Sequence, residues 1–122
     1  MVRAPHKSIL SLSLLFALFV MGQTNAQVTH SEGEALFLAN CAECHQTDGQ
    51  GMANVYPALA GNETVRGSGA DVALVLIIGR GEMPSFAGAL SDQEMAAIIN
   101  YVRNSWGNVG APITAEAIAA LQ

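Results

Sequence analysis

The chain has 122 residues, 51% of them apolar and 12% charged, and its ten carboxylates outnumber five lysines and arginines for a formal charge of −5. Such a surface has no basic patch for nucleic acid and is repelled by anionic lipid. Its partners are expected to present a neutral or positive docking patch.

In chain order, the first segment is one to set aside. Arg3 and Lys7 precede an apolar run, Ile9 to Met21, and a more polar stretch ending in the small residue Ala26 follows. Positive start, short apolar middle and small residue before the cut are the order of a secretory signal. The run holds about 13 residues, against the roughly 20 needed to span a bilayer as a helix; a retained anchor is the alternative. The expectation is a signal peptide at 1–26 and one mature domain at 27–122, exported to the periplasm. Without the signal, Arg66, Arg80 and Arg103 face ten carboxylates, a formal charge of −7. A domain of 96 residues has a thin core, and a bound cofactor adds apolar surface to pack against.

Val28 to Cys44 reads as a helix opened by a Ser31/Glu34 capping box, with Gly33, Phe37, Cys41 and Cys44 on one face. Asp48, Gly49 and Gly51 stop it near His45. Gln46 to Gly67 shows little periodicity; Val55 to Gly61 is extended, with Pro57 biasing Tyr56 away from helix. A loop of this length in a small domain suits wrapping a ligand. Ser68 to Ile78 is a second helix, capped by Ser68 and Asp71. It is apolar on every side, as expected of a helix buried all round or packed on a large apolar object, and Gly79 stops it. A tight loop, "GRGEMPSF", follows.

Ser91 to Trp106 is the clearest helix. Ser91 and Glu94 form a capping box, Leu90 can staple onto Met95, and Met95, Ile98, Ile99, Val102 and Trp106 make one apolar stripe ended by Gly107. Pro112 precedes a short last helix, Thr114 to Leu121. With no convincing strand, the fold class is all-α, three or four helices joined by long loops.

The chemistry concentrates in "NCAECHQTDGQGM", residues 40–52, which holds both cysteines of the chain. Four readings compete. A structural zinc site needs four ligands, and only His30 offers itself as the fourth, from the far end of the helix. A thioredoxin-like dithiol sits beside a βαβ pattern, of which there is no sign. A disulfide at this spacing closes a small loop and stabilises little. Covalent haem attachment is what Cys-x-x-Cys-His signals. On one helical turn Cys41 and Cys44 face the same way, can bond the two vinyl groups on one porphyrin edge, and leave His45 to reach the iron. The cofactor is expected to be one covalent haem c with its iron.

With those residues in view, the chain resembles a class I c-type cytochrome, over essentially all of Gly33 to Gly107. "GEALFLANCAECH", "YPALAG", "GRGEMPSF" and "LSDQEMAAIINYVRNSWGN" carry the likeness. The last three, in this order, are similar to the cytochrome domains that accept electrons from periplasmic dehydrogenases. The resemblance implies the small cytochrome c fold around one haem. It also implies an electron carrier rather than an enzyme, with a donor dehydrogenase and an acceptor redox protein or terminal oxidase of the respiratory chain as partners.

For the second axial ligand the mature chain offers His30, Met52, Met83 and Met95. Met95 belongs to the apolar stripe, and Met52 and His30 are too near His45 in sequence to pass easily to the opposite face of a ring. Met83 lies in a loop 38 residues after His45, stiffened by Pro84; in the family this Met-Pro pair supplies the axial sulfur. The resemblance also implies that the Pro57 carbonyl accepts the second N–H of His45. Arg80 can pair with a haem propionate or simply be solvated. Leu59, Leu74, Ile77, Ile78 and Phe86 are expected to line the haem pocket or serve as ordinary core. Phe37 and Tyr101 resemble the aromatic pair where first and last helices cross. Two saturated axial positions leave no open site, which argues against the rivals: a haem-based gas or redox sensor with an open or labile sixth position, and a haem peroxidase.

Overall fold

A computed structural model of the chain describes Met1 and residues 25–122; the signal expected at 1–26 falls almost wholly outside them. Among the described residues six helical segments follow one another: α1 (Asn25–Asn40), α2 (Ala42–His45), α3 (Glu63–Arg66), α4 (Gly69–Ile78), α5 (Asp92–Val102) and α6 (Ala115–Ala119). Among the described residues strand pairing is confined to isolated bridges, so the fold is all-α. No helix among them is long and apolar enough to cross a membrane.

α5 is the element on which the rest is assembled. Its start is the expected capping box: the Glu94 N–H donates to Ser91 Oγ at 3.2 Å and the Ser91 N–H donates to Glu94 Oε2 at 2.8 Å. Leu90, just before the cap, packs against the core that holds Met95, as a hydrophobic staple requires. The two faces of α5 then serve two cores. Met95, Ala96 and Ile99 join Ala73 and Leu76 of α4 and Ile118 of α6. Ile98, Tyr101 and Val102 join Phe37 of α1 and Val65 of α3. Ile99 has no exposed surface, and truncating such a residue to alanine costs about 2–5 kcal/mol.

α1 crosses α5 at Gly33. A Cβ there would lie 2.2 Å from the Ala97 carbonyl oxygen and 2.8 Å from Tyr101 Cβ, so only glycine lets the two backbones come this close. Beside the crossing, Phe37, Tyr101 and Trp106 form a ring cluster with centroids 5.2–5.6 Å apart.

Several expectations are corrected. α1 already runs through Ser31, so Ser31 and Glu34 do not cap a helix start; a cap needs non-helical backbone before a first turn of unpaired N–H groups. The helix expected to reach Cys44 divides at Cys41, where φ is −125°. α5 ends at Val102 rather than Trp106, because the chain turns back there and Trp106 adopts φ of 52° while packing on Phe37 and Tyr101. α3 was not foreseen. Its signal is Asn62, whose side chain accepts from the N–H groups of Thr64 and Val65.

Candidate cofactor site

A cavity of about 520 Å³ lies between α2, α4, α5 and the two long loops, its wall mostly apolar with a few polar groups. That is the size and character of a cofactor site. Cys41, Cys44, His45, Pro57, Leu59, Arg80 and Met83, the seven residues singled out from the sequence, all border it.

On one side, α2 delivers His45, which is 7% exposed. Its Nδ1 lies 2.9 Å from the Pro57 carbonyl oxygen. A carbonyl can only accept, so Nδ1 carries the proton and Nε2 keeps a lone pair for a metal. The loop that brings Pro57 back to the histidine closes through Gly51, whose N–H donates to the His45 carbonyl at 2.9 Å. Gly51 has φ of 62°, and a Cβ there would sit 2.4 Å from the Tyr56 carbonyl oxygen. Burial first, then the neighbouring Cys44, pushes the Cys41 thiol up to about 11. A redox-active dithiol needs the opposite, a stabilised thiolate.

Further along, Asn108 pins the Leu59–Gly61 stretch to the end of α5. It is 3% exposed. Its Nδ2 donates to the Leu59 and Val102 carbonyls, each at 3.0 Å, and its Oδ1 accepts the Gly61 N–H at 2.9 Å. Arg103 performs a parallel service, donating to the carbonyls of Val65, Gly67 and Ala111. Sequence reasoning missed both residues. Neither belongs to the apolar stripe of α5, and their partners are mostly far away in the chain.

On the other side, Met83 is half-buried in a two-residue turn closed by mutual 3.0 Å backbone bonds with Arg80. The turn is fastened to α4 by the Phe86 N–H, which donates to the Leu76 carbonyl at 2.8 Å, and by the Ser85 hydroxyl, which donates to the Ile77 carbonyl. Of the other candidate ligands, Met95 is buried in the core, His30 stands edge-on to Tyr101, and Met52 does not border the cavity.

The pocket lining differs from expectation on α4. Leu59 and Phe86 border the cavity, but Leu74, Ile77 and Ile78 do not; Val72, Val75 and Leu76 take their place. One face of a helix can look inward, and here Leu74 and Ile78 are on the exposed one, 37% and 71% accessible. Ile77 packs on the α4–α5–α6 core. Phe37, whose expected role was packing alone, also borders the cavity.

A protein carrying these features has known relatives. Residues 28–102 match the family described as cytochrome c oxidase, cbb3-type, subunit III. The chain is 38% identical over 113 residues to the cytochrome c subunit of an alcohol dehydrogenase (quinone) of Gluconobacter oxydans, covering 79% of this chain and 23% of that protein. It thus spans about a quarter of that subunit's length. It is 31% identical over 129 residues to cytochrome c-552 of Thermus thermophilus, covering 88% of this chain and 84% of that one. Among solved structures, cytochrome c6 of the diatom Phaeodactylum tricornutum superposes with a TM-score of 0.54 at 31% identity, over 63% of this chain and 93% of that chain. Cavity, donor set and likeness agree: the chain belongs to the cytochrome c family, a helical domain whose cofactor is a covalently bound haem c with its iron.

Proposed function

We propose that this chain is a periplasmic one-electron carrier with His45 and Met83 as axial ligands to a haem c bonded through Cys41 and Cys44. It takes electrons from a dehydrogenase and passes them toward a terminal oxidase of the respiratory chain. The observation that carries the reading is the convergence of these four side chains on one cavity, with the Nδ1–H of His45 already committed to the Pro57 carbonyl. The relative in Gluconobacter oxydans, a dehydrogenase's cytochrome subunit, supports the choice of donor. Export follows from the signal read at 1–26.

The bound haem supplies a single reversible electron at its iron. The polypeptide supplies the rest. Cys41 and Cys44 would hold the haem, each thiol adding across a vinyl group with the sulfur on one carbon and the hydrogen on the other. His45 presents Nε2, held in one tautomer and one plane by Pro57. Met83 presents a thioether, which favours ferrous iron and raises the potential. Leu59 and Arg80 border the cavity; Leu59 would pack on the ring and Arg80 would pair with a propionate. No proton or group moves, so no general acid, base or nucleophile is needed.

The test is the absorption spectrum of purified ferric and ferrous protein, with intact mass after acid–acetone extraction. The expected result is the mass of chain plus haem and a six-coordinate His/Met spectrum in both states. A colourless product of bare polypeptide mass, from a host competent in haem attachment, would sink the reading.

A further inference from the structure

We infer that Arg103 is a potential-setting residue: a permanent positive charge buried behind the cavity wall that favours the electron-richer state of the iron. The inference rests on the seating of haem proposed above.

Arg103 is 4% exposed. Its three bonding partners are the carbonyl oxygens of Val65, Gly67 and Ala111, and among the described residues no carboxylate pairs with it. The fold makes room for the guanidinium. A Cβ on Gly110 would lie 2.7 Å from its central carbon, and one on Gly69 3.1 Å from Nη1. Removing an unpaired charge from water costs several kcal/mol even after relaxation.

A carbonyl clamp does not need a charge. Asn108, near by, ties the Leu59 and Val102 carbonyls with a neutral amide. The cation therefore does something hydrogen bonding alone leaves unexplained. Its position suggests what. Val102 precedes it in the chain, Val65 holds its Nε, and both side chains border the cavity. Arg103 itself does not border the cavity, so it stands behind these two residues.

Reduction adds one negative charge inside the cavity. A fixed cation across a low-dielectric wall stabilises that state. The carbonyl dipoles around the guanidinium offset its field close by, but a dipole's field falls off faster than a charge's. Exposed Arg66 and the surface carboxylates act through water and salt, which screen them beyond about 10 Å at ordinary ionic strength. Arg103 is screened far less, and a guanidinium stays protonated throughout the working range.

The experiment measures midpoint potentials of the haem-loaded protein and its Arg103→Gln and Arg103→Lys variants, with absorption spectra alongside. With an unchanged His/Met spectrum, Arg103→Gln is expected to lower the ferrous-to-ferric preference about tenfold, equivalent to 59 mV for one electron. Arg103→Lys keeps the charge, so it holds most of the parent's potential at neutral pH. It then loses that advantage as pH rises and the buried ammonium gives up its proton. Equal shifts in both variants would assign Arg103 to structure alone, and the parent's potential in both would remove the charge effect. Should the glutamine variant fail to fold, a lysine variant without an extra pH-dependent fall in potential overturns the inference by itself. Lost haem or a changed spectrum in the parent would instead strike the seating.

Discussion

On the His45 side of the cavity, the chain is tied down by buried and part-buried bonds between residues far apart in sequence. On the Met83 side, it is tied by short-range bonds near the surface. Asn108 reaches back 47 and 49 positions to Gly61 and Leu59, and Arg103 reaches back 38 to Val65. The loop around Met83 relies on its turn with Arg80 and on Ser85 and Phe86, eight and ten residues from their partners on α4. Buried bonds are costly to break because their groups are left without water; exposed ones are replaced by water at little cost. The imidazole is therefore held by the core of the fold, and the thioether by a local loop that can open without global unfolding.

Asn108→Ala tests the first half of this contrast most severely. It leaves the Leu59 and Val102 carbonyls and the Gly61 N–H short of a partner, at an expected loss of about 2–4 kcal/mol in chemical unfolding of the haem-loaded protein. A loss under about 1 kcal/mol would mean that the wall is held by something else. Met83→Ala tests the second half. Covalent haem stays, carbon monoxide gains access to ferrous iron, and the potential falls by at least about 59 mV, a tenfold change in the ferrous-to-ferric ratio. The parent's spectrum and potential in that variant would exclude Met83 as ligand.

Ser85→Ala sharpens the comparison. It removes a hydroxyl that donates to Ile77 and accepts from the Ala87 N–H, for an expected loss of only about 0.5–1 kcal/mol. Added imidazole should nevertheless displace Met83 several-fold more readily, read from the ferric spectrum. Displacement no easier than in the parent would place the loop's hold elsewhere.

The smallest effect lies outside both walls. The Ser91 backbone N–H, then its hydroxyl, holds the Glu94 carboxyl below the ordinary value of 4.5. A carboxyl depressed in the folded state adds stability that is complete above its unfolded value and lost as pH falls through the folded one. Glu94→Gln keeps a capping residue but cannot titrate, so stability should lose a small part of its acid slope below about pH 4.5 and change little at neutral pH. An unchanged slope would show that the box titrates too weakly to matter.

Much of this architecture is legible in the sequence because it depends on neighbours. Ser68 and Ser91 cap their helices as expected, since cap and first turn lie within three residues. The α5 stripe forms core because helical spacing puts Met95, Ile99 and Val102 on or near one face. The same local logic fails at Ser31, where residues before the motif continue the helix. On α4 every face is apolar, so nothing local told Val72 and Val75, which border the cavity, from Leu74 and Ile78, which do not.

The sequence by itself determined the cofactor chemistry, because two thiols and an imidazole within five residues need only one turn of backbone to act together. It also determined where α4 and α5 begin, because capping is a short-range hydrogen bond. Only the tertiary structure decided which side of α4 looks inward and how close α1 comes to α5. It alone brought Arg103 and Asn108 behind the cavity wall. Those outcomes depend on burial and on polar partners dozens of residues away, which exist only once the chain has closed on itself.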